Sequence, residues 1–504
     1  MGYQFKIAAV TLIALLLFKA CDKAPKYSKP GVATPPAFKE LSPDMFKETK
    51  DWKFAQPNDG VIRGKWWEMF GDAKLNALEE QVNISNQNVA AADANFRAAR
   101  AIIKESRSEY FPTVTTSPSI IVSRQSAANT RSNISPGRTV TNYTLPFDAT
   151  WEPDLWGRVR NTVRASTSEA QASAADLQNV RLSVEAELAF DYYQLRSNDA
   201  EKRLLDATIL AFQQQLELTR VRFQTGIASD EDVAQAETQL ETTQAQDTDL
   251  GIQRAQLEHA IALLTGQPAS TFSLPPENEA ERPPSIPVGV PSQLLERRPD
   301  IAASERRVAE ANAQIGVTKA AFFPSLVLSG TAGLESTSLA SWFTWPARFF
   351  SLGPTLSQTL FDKGRRAAAT EVARADYDAT VATYRQTVLT AFQEVEDNLA
   401  ALRILSHELD QQNTAVASAQ RALSLATERY KSGIDSYLNV ITAQATLLSN
   451  QRTAVGLQMQ QMTASVELIK ALGGGWSDTQ LPTPKELTQK QPAAPKASPT
   501  PTTH

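Results

Sequence analysis

Cysteine occurs once in the 504 residues, at Cys21, so no intrachain disulfide and no CxxC-type metal or redox motif can form. Histidine occurs three times, at His259, His407 and His504, far apart in the chain. That leaves no basis for a His-ligated metal or a His-based triad, and neither catalytic residues, a metal nor a cofactor is expected. A basic excess is also missing: the formal net charge is −5, which leaves nothing to neutralise nucleic-acid phosphates. No apolar run of 18 residues follows Cys21, so no transmembrane helix is expected there, and any membrane-spanning part has to be built from strands. Proline is absent from Asp154 to Gln267 and again from Thr355 to Leu481. Stretches of that length without the strongest helix breaker, rich in Ala, Leu, Gln, Glu and Arg, predict long helices.

Three apparent motifs dissolve on inspection. Gly473-Gly474-Gly475 lacks the Lys-Ser/Thr of a phosphate loop and reads as a helix stop. His407-Glu408 lacks the second histidine of a zinc protease. Met459 and Met462 lie one turn apart in a chain with five methionines, the spacing of a core seam rather than a soft-metal site.

What is present begins with a secretory signal. Residues 1–20 carry Lys6 and the apolar run Ile7–Phe18, about 18 Å as a helix and too short to span a bilayer. Cys21 stands where such a signal ends. Two readings remain: cleavage before an acylated Cys21, or an ordinary signal with an idle cysteine; the unpaired thiol favours the lipoprotein. Proline-rich residues 21–62 read as a lipid anchor and extended tether, and 477–504 as a disordered tail.

Between tether and tail the chain is a tandem duplication. Gly157 and Gly364, within Leu155-Trp156-Gly157-Arg158 and Asp362-Lys363-Gly364-Arg365, are 207 residues apart. So are Gly226 and Gly433, within Arg222–Ile227 and Arg429–Ile434. Upstream, Tyr110-Phe111-Pro112 matches Phe322-Phe323-Pro324 at an offset of 212. Each copy reads helix, strand, strand, long helix, turn, helix. The first, 63–267, has strands near 113–123 and 142–152, a long helix over 158–224, a turn at 225–229 and a return helix over 230–265. A linker fills 268–299. The second, 300–476, has strands near 325–334 and 350–361, a long helix over 365–431, a turn at 432–436 and a return helix over 437–472. Asp72 to Glu109 reads as one further helix. A 67-residue helix is about 100 Å long, so the simplest packing is a rod of that length. In it one long helix lies along two short ones stacked end to end.

The strands alternate: Tyr143, Leu145, Phe147, Ala149 and Trp151 share one face, as do Leu326, Leu328, Gly330, Ala332 and Leu334. That pattern fits outer-membrane strands, with Trp342, Phe343, Trp345 and Phe349 as an aromatic girdle, and it equally fits a soluble sheet with one buried face. Four strands cannot close a barrel in lipid, where open edges are not tolerated. Two chains would give a plugged eight-stranded barrel; three give twelve strands and a lumen.

At this point the residues resemble a family, the outer-membrane factors of tripartite efflux pumps (the TolC-like group, closest to its lipoprotein branch). The resemblance spans roughly 60–476. It is carried by Trp66-Trp67 with Phe70, Asp72 and Leu75; by Trp151-Glu152 with Asp154–Gly157; by Leu294–Ile301; by Ala320–Ser325; by Ala391–Val395; and by Ala471–Trp476. It implies a mainly α protein with a transmembrane β-barrel: a homotrimer with a 12-stranded outer-membrane barrel and a long α-helical periplasmic tunnel. An equatorial region would lie near 40–75, 266–300 and 473–480. It further implies a passive duct for drugs and other small molecules, loaded by a periplasmic adaptor and an inner-membrane pump of the resistance-nodulation-division type. Protein secretion through the same duct, and a non-channel lipid-anchored coiled-coil adaptor, are the alternatives.

The resemblance puts the gate and adaptor contact where the helix pairs turn, at Thr225-Gly226-Ile227 and Ser432-Gly433-Ile434. Family members often carry acids at positions matching Asn439 and Thr442; this chain is neutral at both, and its acids Asp230, Glu231 and Asp232 follow the first turn. Leu438 matches an apolar constriction. The expectation is a narrowing at Leu438 with a selectivity ring at Glu231 or Asp232, weighed against a plain acidic helix N-terminus. Arg429 and Tyr430, with Arg222 as the copy-one equivalent of Arg429, match a latch between neighbouring helices. The lipobox departs from the usual pattern, with Phe18-Lys19-Ala20 before the cysteine and Asp22 after it. In enteric bacteria that aspartate retains lipoproteins in the inner membrane, where a strand-built barrel does not reside, so the outer membrane remains the expected location.

Overall fold

The computed structural model describes residues 24–41, 64–124, 126, 139–277, 283–284, 286 and 291–489. The signal and Cys21 lie outside the described residues.

Helix α1 (Ala73–Ser85) is followed by α2 (Gln87–Ser108), not by one continuous helix. The break is at Asn86, whose extended backbone starts a new helix while its side chain accepts from the Asn88 and Val89 amides. Then come strands β1 (Thr113–Thr116), β2 (Ser119–Arg124) and β3 (Thr139–Trp151), long helix α3 (Arg158–Gln224) and return helix α4 (Asp230–Leu264). The second copy repeats the order. A short α5 (Pro291–Arg297) leads into α6 (Pro299–Ala320), β4 (Ser325–Ser336), β5 (Arg348–Ser357), long helix α7 (Arg365–Lys431) and return helix α8 (Tyr437–Ala471). Helices α3 and α7 are each 67 residues long, and α4 and α8 each 35.

Both long helices start after a left-handed glycine, Gly157 (φ 81°) and Gly364 (φ 84°). Both end at another, Gly226 (φ 77°) and Gly433 (φ 72°), which β-carbon-bearing residues adopt only at a cost. The Ile227 amide donates to the Arg222 carbonyl and the Ile434 amide to that of Arg429, the helix-stop pattern that reverses each chain into its hairpin.

Helices α2 and α4 both lie against α3, one above the other; α6 and α8 both lie between α3 and α7. The large apolar cluster sits midway, where Trp66, Trp67 and Phe70 pack on Leu188, Tyr192 and Tyr193 of α3 and reach Tyr384, Val388 and Phe392 of α7. Along α4, Val233, Ala236, Leu240, Leu250, Leu257, Ile261 and Leu264 form a buried apolar seam, and the polar residues that interrupt it are satisfied. Thr243 bonds back to the Gln239 carbonyl, Asp247 pairs with Lys202, and Arg254 pairs with Asp199 and Glu258.

The strands form one antiparallel meander. β1 and β2 pair with β3 in a single register and are separated only at Ser117-Pro118, opposite Pro146. Two residues without backbone donors thus meet at one gap in the ladder, which the Thr116 hydroxyl spans by donating to the Pro146 carbonyl. The fourth strand ends at Ser357 rather than near 361.

The described parts of the expected tether and tail, 24–41 and 477–489, are ordered against the helices. Residues 24–41 lie along α6 and α7: the Asn312 amide donates to the Pro25 carbonyl and Tyr27 bonds Glu305. Phe38 is buried and Arg403 pairs with Glu40. The tail is folded through residue 489. A Thr483–Glu486 capping box opens α9 (Pro484–Thr488), which seats Leu487 on Ala99, Ile103 and Ala170.

Candidate duct: the strand wall and the hairpin tip

Cross-strand partners in an antiparallel pair share a face. The register therefore collects Val114, Ile120, Val122, Tyr143, Leu145, Phe147, Ala149, Trp151, Leu326, Leu328, Leu334, Phe350, Leu352 and Leu356 on one side of the sheet. Among the described residues that side is largely uncovered away from Trp342: Phe350 and Leu352 are 85% and 84% exposed. A soluble sheet would bury such a face, so the exposed apolar wall fits a lipid boundary. The opposite face is richer in hydroxyls, with Thr113, Thr115, Ser119, Thr144 and Thr150 beside Ser325, Ser329, Thr331, Ser351 and Thr355, and Ile121, Val140, Val327 and Phe349 among them. Trp342 packs against Tyr143 and Phe343 at the connection into β5, an aromatic rim to the wall.

At the other end of the rod, Tyr430 and Tyr437 from the second hairpin pack into Phe212, Leu216, Val233, Ala236 and Leu240 of the first. The Arg222 guanidinium stacks 4.6 Å from the centre of the Tyr430 ring and donates to the Lys431 carbonyl at 3.0 Å. Arg222 and Tyr430 are thus brought together within one chain. Arg429 is placed differently: it pairs with Asp435 of its own hairpin at 3.1 Å. Asp435 also accepts from the Asn439 side chain and the Ser436 amide, and these bonds with Arg429 hold its carboxyl below the usual range.

Asp232 completes a capping box with Ser229, giving and receiving one bond with it, while Asp230 and Glu231 face solvent. Leu438, Asn439 and Thr442 are all exposed along the start of α8. Ile227 and Ile434 project from the two turns at 66% and 68% exposure, flanked by exposed Thr225, Gly226, Ser432 and Gly433. Asp435 and Tyr437 escaped sequence reasoning. The signal for Asp435 was present, an acid directly before the Ser436 helix cap and six residues past Arg429.

An uncovered apolar strand wall with a hydroxyl-lined reverse, continuous with a helical rod about 100 Å long, is the architecture of a subunit of an outer-membrane channel. The family of outer membrane efflux proteins matches this chain over residues 78–267 and 290–474, and the chain belongs to it. The probable efflux pump outer membrane protein TtgC of Pseudomonas putida is 31% identical over 467 residues, 92% of this chain and 94% of its own. The solvent efflux pump outer membrane protein SrpC, also of Pseudomonas putida, is 31% identical over 477 residues, 94% of this chain and 100% of its own. The solved outer-membrane channel OprN superposes with a TM-score of 0.80 at 30% identity, over 90% of this chain and 100% of that one. The protein is placed in the outer membrane as an efflux channel component, and no described helix is long and apolar enough to cross a membrane.

Proposed function

We propose that three copies of this chain close into one duct, a 12-stranded barrel above a helical tunnel. Small molecules would leave through it passively, delivered by a periplasmic adaptor and an inner-membrane pump of the resistance-nodulation-division type. The observation that carries this reading is that the sheet and the helical layer are open on the same two sides. The sheet ends in β1 and β2 on one side and in β5 on the other. The helical layer ends in α2 and α4 on one side and in α7 on the other. Apolar side chains are exposed on these end helices: Ile102, Ile252 and Leu263 on the first side, Val372, Leu389, Ile404 and Leu425 on the second. Unlike edges that meet head to tail generate a ring, and lipid requires that the ring close.

Three further assignments belong to this reading. Ile227 and Ile434 with their turns form the adaptor contact. Leu438 narrows the tip beside Asp230, Glu231, Asn439 and Thr442, and the Arg222–Tyr430 clasp holds it shut. Cys21 carries the lipid: Ala24, three residues after it, packs against Gly316 of α6, nine residues before β4 begins.

Site-directed crosslinking tests the docking directly. With Cys21 acylated, Ile227→Cys or Ile434→Cys supplies the reactive thiol. Capture of a periplasmic adaptor from the tip, and not from a cysteine placed at Ile404, supports the proposal. Capture from neither turn, or equally from both regions, contradicts it.

A further inference from the structure

The two faces of the strand wall differ in the sign of their charge as well as in polarity. Among the described residues of β1 to β5, the ionisable side chains on the hydroxyl face are Asp148 and Glu335, both acidic. The cations, Arg124 and Arg348, fall in the opposite phase, on the apolar face, where they pair with Thr139 and Leu334 near the hairpin ends. Asp148 accepts from the Thr331 hydroxyl at 2.7 Å, and Glu335 from the Asn142 amide at 2.7 Å. Each is held by a neutral cross-strand neighbour, and no described cation pairs with either.

We propose that Asp148 and Glu335 set the charge preference of the duct. This rests on the trimeric pore proposed above and deepens it. Three-fold closure turns each residue into a ring of three carboxylates on the lumen wall. Asp148 lies three residues from the helical end of β3, and Glu335 one residue from the hairpin end of β4. Their cross-strand partners put them four residues apart along the sheet, about 13 Å. That exceeds a screening length of about 8–10 Å near physiological salt, so the two rings act as separate filters in series. A lumen walled by low-dielectric protein and lined otherwise by uncharged side chains, hydroxyls and a few apolar groups among them, focuses such a field. Cationic and neutral small molecules then pass, and anionic ones are repelled at both levels. The acids after the first hairpin turn are not needed for this preference: Asp232 is engaged in its helix cap.

The test is the reversal potential of purified protein in planar bilayers under a KCl gradient, in ~0.1 M salt where fixed charge is least screened. Wild type is expected to prefer potassium over chloride. Asp148→Asn with Glu335→Gln is expected to lower that permeability ratio by about half or more, and ~1 M salt to have a similar effect on wild type. The single Glu335→Gln, exposed at the sheet end, serves if the double variant fails to assemble. An unchanged ratio in assembled barrel variants, with a loss of preference in Asp230→Asn with Glu231→Gln, would overturn the proposal and locate the filter at the tip. A wild-type pore without ion preference would overturn it too. Wild-type protein that forms no pore at all would instead refute the trimeric duct beneath it.

Discussion

Asn86 donates through its side-chain amide to the carbonyl of Leu264 at 2.8 Å, tying the start of α2 to the last residue of α4. The second copy makes the same joint with different chemistry: Arg298, the residue directly before α6, donates to the Ala471 carbonyl at the end of α8. Leu264 and Ala471 are 207 residues apart, Asn86 and Arg298 are 212 apart, the two offsets of the internal duplication. Each joint places a donor on the unsatisfied carbonyls of a helix end, and in copy two a full positive charge on the negative end of the dipole. The stacked short helices therefore behave as one rod against the long helix. Gly266 and Gly473 make the approach possible: a β-carbon at either would overlap the carbonyl of Ser85 or Arg297, again equivalent positions.

Arg298 is buried and also holds Asp300 and Glu394, so its removal leaves more unsatisfied than removal of Asn86. Arg298→Ala is expected to cost about 2–3 kcal/mol and Asn86→Ala about 1 kcal/mol. The temperature at which the assembled particle dissociates on a gel should fall in that order. Equal temperatures would show that the joints carry no mechanical load.

Truncation and substitution test the role of the C-terminal segment. Removal of residues 490–504 should leave assembly unchanged. Leu487→Ala, which empties a fully buried site between α2 and α3, should cost about 2–3 kcal/mol.

Glu310 on α6 faces Glu169 on α3, with Arg307 nearby. Burial first, and then the Glu169 carboxylate, push its carboxyl up to about 7. A carboxyl raised in the folded state favours folding while protonated. Its contribution is complete below about pH 4.5 and is lost as the pH rises through about 7. Glu310→Gln should remove that decline, so dissociation temperatures of variant and wild type should converge at acid pH and separate at neutral pH, with the variant higher. Parallel curves would contradict the assignment.

At the tip, Arg222→Ala loses a ring contact and a carbonyl bond, together about 1.5–2 kcal/mol, or about 10- to 30-fold in the closed-to-open ratio. Single-channel recording should show more frequent openings than in wild type, with the open conductance itself unchanged. A tip that stays as closed as wild type would assign the clasp to folding alone.

The long helices, their reversing glycines and the alternating strands were legible because each rests on a local signal: absent proline, a left-handed glycine, a two-residue period. The Asn86 break was not, because an asparagine inside an Ala-rich stretch declares itself as a cap only once the Leu264 carbonyl is beside it. The prolines of 21–62, from Pro25 and Pro30 onward, suggested an extended tether. What orders it is long-range, with Tyr27 on Glu305 and Phe38 in the central core. The same holds for the tail, where one leucine in a proline-rich segment finds a pocket 388 residues earlier at Ala99. At the tip, the sequence singled out Arg222, Arg429 and Tyr430 with Arg429 beside Tyr430; the structure stacks Arg222 on the Tyr430 ring instead. Asp435, which pairs with Arg429 inside the second hairpin, carried only a short-range acid signal.

The claim on which all of this depends is that one chain supplies a third of a barrel. Native mass of the protein extracted from isolated outer membranes in mild detergent, corrected for bound detergent, tests it most directly. The account predicts a particle near three times the 55.1 kDa chain, less the signal. A monomer, or recovery in the soluble periplasm, would mean that the exposed strand wall is covered by something other than lipid and further copies of itself.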